Sequence, residues 1–157
     1  MELLLNFPLW AALCAIVFAQ TIKIPIHYAM SREFKPELAF STGGMPSSHS
    51  AAVTALTTGI GILEGFQSSV FALACIFSVI TMFDASGVRR HAGEHAVILN
   101  QMMKDLQFII NGAKDWQNKE VYKRREELKE LLGHQPIEVF TGGILGIFTA
   151  LLIYQFY

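Results

Sequence analysis

The chain has 157 residues, enough for one domain, and 52% of them are hydrophobic, with a mean hydropathy of +0.40 that exceeds the usual soluble range. A net charge of -1 offers no general attraction to nucleic acid, and the two cysteines, Cys14 and Cys75, lie in apolar stretches without the spacing of a metal site. Composition thus argues against a zinc-stapled module and for helices in lipid.

The apolar residues come in blocks. They predict an all-α integral membrane helical bundle, a single membrane domain with about four transmembrane helices near 3–22, 48–63, 68–83 and 139–157. One or two cytoplasmic or interfacial helices are expected in a cytoplasmic segment, 84–138. The first and last blocks approach the roughly 20 residues needed to cross the hydrocarbon. The middle two reach that length only if Ser47, Ser48, Ser50, Ser68 and Ser69 also lie at membrane depth, shielded by other helices. A soluble bundle of buried helices is the alternative. The first block has the length of a signal peptide but no basic leader, and Glu2 opens it, so it is expected to be retained.

Along the chain, Lys23 follows Gln20 by one helical turn and can either reach a phosphate or snorkel to the interface. Pro25, His27 and Pro36 predict a bent connection over 23–36. It leads to a Gly43-Gly44 turn, after which Pro46, Ser47 and Ser48 suit the first turn and cap of a helix starting near His49. Glu64-Gly65-Phe66 reads as a tight turn, so the second and third spans form an antiparallel hairpin.

The third span ends at Asp84, and a further helix is expected from Val88 to about Ile110, where Val97, Ile98, Met102 and Leu106 recur at helical spacing. Asn111-Gly112 is expected to break it. Residues 116–132 read as a charged amphipathic helix whose Lys123-Arg124-Arg125 run, mixed with glutamates, is a solvated face. His134-Gln135-Pro136 returns the chain to the last span, where Gly142, Gly143 and Gly146 offer a small-residue packing face.

With four spans, 23–49 and 84–138 share one side, and all 12 Lys and Arg fall there. The positive-inside rule puts that side in the cytoplasm.

Chemistry concentrates on the same side. Gly43-Gly44-Met45-Pro46-Ser47-Ser48-His49-Ser50 joins a flexible turn, three hydroxyls and a histidine at a helix N-terminus, where backbone N–H groups and the helix dipole attract phosphate. Arg89 and Arg90 can fork onto phosphate oxygens, and His91 or His95 can act as nucleophile or base. Asp84 ends an apolar span, where an unpaired carboxylate is costly; it can pair with Arg89, orient a histidine, or bind a divalent metal together with Glu138.

Taken together, Gln20 with Lys23, the Gly-Gly-Met-Pro-Ser-Ser-His-Ser run, Phe83-Asp84-Ala85-Ser86-Gly87-Val88-Arg89-Arg90 with Gly93, Leu99-Asn100, and His134 to Val139 with Gly142 resemble a known family. It is the divergent membrane branch of the type 2 phosphatidic acid phosphatase and vanadium haloperoxidase-related superfamily, and the likeness extends from about Gln20 to Gly146. The resemblance implies removal of phosphate from a lipid phosphate monoester through a phosphohistidine, without cofactor or metal. It further implies His49 as general acid, Ser47 as a phosphate contact assisted by Ser48 and Lys23, Arg89 as phosphate binder and His95 as nucleophile. The expected partners are a lipid phosphate substrate and membrane lipids, with no nucleic acid, in a bacterial cytoplasmic membrane. A catalytically degenerate lipid- or phosphate-binding protein, and a metal-dependent phosphohydrolase using Asp84 and Glu138, are the alternatives. Three departures mark the chain: Leu99 stands where the third motif has its orienting Asp, Val88 replaces a serine, and no Arg-Pro follows Lys23 at the motif's spacing. The cytoplasmic site expected here also contrasts with the outward-facing site common in bacterial relatives.

Overall fold

A computed structural model describes residues 6–34, 36–40, 43–113 and 134–157. Within them lie five α-helices, α1 (Phe7–Ser31), α2 (Ser48–Glu64), α3 (Ser69–Ser86), α4 (Val88–Ala113) and α5 (Pro136–Tyr154), and a 3-10 turn, Pro36–Phe40. The expected charged helix at 116–132 lies outside the described residues, as do the side chains of Arg89 and Arg90.

Local chemistry sets the helix ends. Asn6 caps α1 by accepting the Leu9 N–H at 3.0 Å, Ser47 caps α2 through the Ser50 N–H at 3.3 Å, and Ser68 caps α3 through the Phe71 N–H at 3.1 Å. At the far end of α1, Arg32 adopts a left-handed conformation and donates its N–H to the Tyr28 carbonyl. Two boundaries differ from the sequence expectation. The helix continues through Pro25 to Ser31 in place of a bent connection. Likewise α4 runs through Asn111-Gly112 to Ala113.

The packing is that of a membrane protein. Alanine, glycine and serine fill the interior, whereas Phe77, Ile80 and Phe83 on α3 and Phe140, Ile144 and Phe148 on α5 point outward. With no hydrophobic gain from burying large side chains against lipid, helices associate by close backbone approach. Along α1 the buried residues Phe7, Ala11, Ala15, Ala19 and Lys23 recur every four positions, a single ridge ending in a charge. Among the described residues three helical stretches are long and apolar enough to cross a membrane: Phe7–Ala29, Ser69–Gln107 and Pro136–Tyr154.

Helix α2 is the centre of the bundle and touches α1, α3 and α5. Its 17 residues rise about 26 Å, slightly short of a full crossing of about 30 Å. Shielding by its neighbours lets it carry hydroxyls. Thr57 and Ser78 lie 2.7 Å apart across the α2–α3 interface, and Ser78 donates to the Val53 carbonyl at 3.0 Å.

Contacts fix the helix directions. Gly59 of α2 lies against Pro8 of α1, and Val53 and Thr57 face Ser78 and Ala74, so α1 and α3 both run antiparallel to α2. By contrast Gly142 meets Ser47 and Gly146 meets Ala51, so α5 runs parallel to α2. The C-terminal ends of α1 and α3 therefore share one end of the bundle with the N-terminal ends of α2 and α5.

Candidate functional site

The shared end gathers Gln20, Lys23 and His27 from α1, the Gly44-to-Ser47 turn, His49 from α2, and His134 and Glu138 from the start of α5. Gln20, Lys23 and His27 are spaced three and four apart and occupy one face of α1. Lys23 is only 2% exposed. Its ammonium interacts electrostatically with the Glu138 carboxylate. Between them opens a cavity of about 270 Å³, lined on its polar side by Lys23, His27, Gly44, Gln135 and Glu138 and on its apolar side by Ile26, Leu38, Met45 and Ile137.

Glu138 joins the pieces. Its side chain accepts from His134 Nδ1 at 2.9 Å and from the Gln135 N–H at 3.1 Å. Its own carbonyl accepts the Ser47 N–H at 2.9 Å, which ties α5 to the cap of α2. The His134 N–H donates to the Ala85 carbonyl at 2.9 Å, which ties the same corner to the end of α3. An ionised carboxylate only accepts, so His134 presents a proton on Nδ1 to it, and in the neutral ring the lone pair is then on Nε2.

Gly142 is what permits this closeness, because a Cβ there would run into the Ser47 carbonyl. Gly44, with φ +89°, takes the turn through a region that suits glycine, and the chain passes from it through a cis Met45-Pro46 bond into α2. Ser47 is fully buried and its hydroxyl caps the helix, while Ser48 is 6% exposed. His49 is partly exposed, with its ring edge-on to that of His134 at a centroid distance of 6.0 Å.

The structure leaves several polar atoms here buried without a hydrogen-bond partner among the described residues: Gln20 Oε1, His27 Nε2 and His134 Nε2. Buried polar atoms are nearly always paired, so exceptions gathered at one end of the bundle mark a place for a polar guest, and His27 among them lines the cavity.

The third motif's His95 and Leu99 lie outside this cluster. Among the described elements α4 touches only α3. His95 is exposed, as is Leu99, and His91 pairs with Glu94 at 3.1 Å on the surface. Arg89 and Arg90 belong to the first turn of α4 by their backbone. Asp84 is half-buried near the end of α3. Among the described residues no three His, Cys, Asp or Glu side chains converge to hold a metal ion, so Asp84 and Glu138 form no such nucleus there.

Sequence reasoning gave neither His27 nor His134 a chemical role: it read His27 as part of a connection and His134 as the return to the last span and as part of the family resemblance. The signals were present: His27 is one turn beyond Lys23, and His134 is four residues before Glu138 with Pro136 opening a helix between them.

Comparison with known proteins gives a consistent picture. The chain is 55% identical over 157 residues to the "Uncharacterized membrane protein YuiD" of Bacillus subtilis (strain 168), covering 100% of this chain and 99% of that one. No solved structure matches it. Residues 4–149 match the Divergent PAP2 family. Since that match takes in both the cavity and α4, the chain belongs to the Divergent PAP2 family.

Proposed function

We propose that this membrane protein binds the phosphate of a membrane lipid in the Lys23 cavity and hydrolyses it as a phosphate monoester, on the cytoplasmic side. The observation that carries the reading is Lys23 itself: a lysine held inside a helix bundle, next to a glycine turn at a helix N-terminus, lining a cavity with an apolar wall. A buried cation at membrane depth is expensive and marks a functional site by default. A phosphate is its natural guest, since the start of α2 adds dipole and backbone N–H groups of the same sign. The apolar lining of Ile26, Leu38 and Ile137 suits the first carbons of a lipid.

In this reading Lys23 and His27 hold phosphate oxygens, and His49, in the first turn of α2, protonates the leaving oxygen. Arg89, as the family resemblance implies, and Arg90 beside it supply further charge from the start of α4. Clustering of all 12 Lys and Arg in 23–49 and 84–138 supports the cytoplasmic placement. The exposure of His95 and of Leu99 favours a second reading, in which the protein binds a lipid phosphate without turning it over.

Purified protein in detergent, given phosphatidate, phosphatidylglycerophosphate or a prenyl phosphate with and without EDTA, separates the two. Phosphate release from one of these lipids, lost in His49→Asn, is the expected result. Thermal stabilisation by a lipid phosphate with no release from any of the three establishes binding alone.

A further inference from the structure

Resting on that hydrolytic reading, we infer that the nucleophile is His134, oriented by Glu138. His95 of α4 is not the attacking group. Three observations place the chemistry at this corner. Glu138 accepts from Nδ1 of His134 at 2.9 Å, which fixes the ring and, in its neutral form, puts the lone pair on Nε2. That Nε2 is buried, in a side chain only 2% exposed, and has no hydrogen-bond partner among the described residues, so a phosphate reaches it from the adjoining Lys23 cavity. And the ring lies edge-on to His49, with centroids 6.0 Å apart, while Glu138 also lines the Lys23 cavity.

The third motif's histidine normally needs an adjacent carboxylate, and position 99 supplies a leucine. Here a histidine just before α5, with its own carboxylate in the first turn of that helix, is brought to the general acid. An orienting carboxylate one turn away performs the job that the missing Asp would do: it holds the tautomer and stabilises the positive charge that develops on the ring.

The steps balance. Nε2 of His134 attacks phosphorus, the bond to the lipid oxygen breaks, and His49 gives its proton to that oxygen, releasing the lipid alcohol. The phosphorylated ring keeps Nδ1–H and is cationic, facing the Glu138 carboxylate. Water then attacks phosphorus and gives its proton to His49. The P–N bond breaks, its electron pair returns to Nε2, and inorganic phosphate leaves with the enzyme restored.

A purely structural His134, serving only to join α5 to α3, forms no covalent adduct, so the test traps one. Wild-type protein is mixed with phosphatidate, phosphatidylglycerophosphate or prenyl phosphate carrying ³²P in the terminal phosphate, quenched in alkali, where phosphohistidine survives, and mapped by proteolysis and mass spectrometry. The label is expected on His134. His134→Asn, whose amide keeps an N–H for Glu138 but has no Nε2, is expected to lose the label and to lower turnover at least a thousandfold. Should that variant fail to elute as a monodisperse species, the map of the wild-type adduct decides alone. Label on His95, label at the wild-type level in a folded His134→Asn protein, or turnover without any histidine adduct each overturns the assignment and leaves the hydrolytic function standing. Absence of turnover of all three lipids overturns the function, and this assignment with it.

Discussion

The backbone N–H of Ser47 donates to the carbonyl of Glu138 at 2.9 Å, and through this one bond the cap of α2 and the first turn of α5 become a single structural corner. Both helices begin there and run in the same direction. The cap needs close approach, which Gly142 supplies, and the same first turn of α5 presents the Glu138 carboxylate to His134 and Lys23. Helix packing and site geometry are thus the same set of contacts.

Glycine substitutions on α5 therefore separate tight from ordinary contacts. Gly142→Ala pushes a methyl into the Ser47 carbonyl, and Gly146→Ala pushes one into Thr54 and the Ala51 carbonyl. Each is expected to cost about 1–3 kcal/mol, the range of overpacking in a closed interior. Gly143→Ala meets Thr54 Cγ2 at 3.6 Å and Met82 Sδ at 3.8 Å, ordinary contacts, and is expected to be tolerated. Thermal unfolding in detergent ranks the three; equal melting temperatures for Gly142→Ala and Gly143→Ala would remove the close α2–α5 approach argued here.

That glycine face was legible in the sequence, because small residues at positions 142, 143 and 146 have few other uses in an apolar span. So were the cap at Ser47 and the start of α2. The course of α1 was not. A proline ordinarily ends a helix in water, but at membrane depth the backbone has no other donors or acceptors, so α1 runs through Pro25 and carries His27 onto the face of Lys23. The fate of Lys23 was undecidable locally, since snorkelling and inward burial have the same sequence. Only the ridge of Ala11, Ala15 and Ala19 tells that its face turns inward. His134 was hidden for a different reason: its partner is four residues on, but it precedes the helix, so the pairing depends on how the chain folds back before Pro136.

Lys23 and Glu138 are expected to be coupled in both stability and binding. Glu138→Gln leaves a buried ammonium without its counter-charge and frees His134, at a cost of about 3 kcal/mol. Lys23→Met removes the cation and is expected to weaken lipid phosphate binding about tenfold or more, the loss of one charge-assisted contact. The double variant should be more stable than the sum of the single costs implies. Unfolding midpoints measured with and without phosphatidate check both parts, and simple additivity of the two stability costs would show that the charges do not interact.

The α2–α3 interface offers a milder test of how hydroxyls hold helices together. Thr57 and Ser78 lie 2.7 Å apart, and each also reaches a carbonyl of the facing helix, Ala74 for Thr57 and Val53 for Ser78. Thr57→Val and Ser78→Ala are expected to show a coupling energy of roughly 0.6 kcal/mol in a double-mutant cycle, the usual size for polar pairs between membrane helices. A coupling near zero would mean that each hydroxyl acts only through the opposing backbone.

Orientation can be read by labelling single cysteines at opposite ends of the bundle. Arg32 ends α1 at the site end, and Glu64 ends α2 at the other, because the two helices are antiparallel. In a background with Cys14 and Cys75 replaced by alanine, a membrane-impermeant maleimide applied to intact cells is expected to modify Glu64→Cys. It is expected to reach Arg32→Cys only after the membrane is opened. The reasoning is electrostatic: the site end carries Lys23 and the first turn of α4, and all 12 Lys and Arg fall in 23–49 and 84–138, so the membrane potential and the anionic inner surface are both expected to favour that end inside. Labelling of Arg32→Cys from outside, with Glu64→Cys protected, would turn the site outward. The lipid phosphates to be tested would then be those of the outer leaflet.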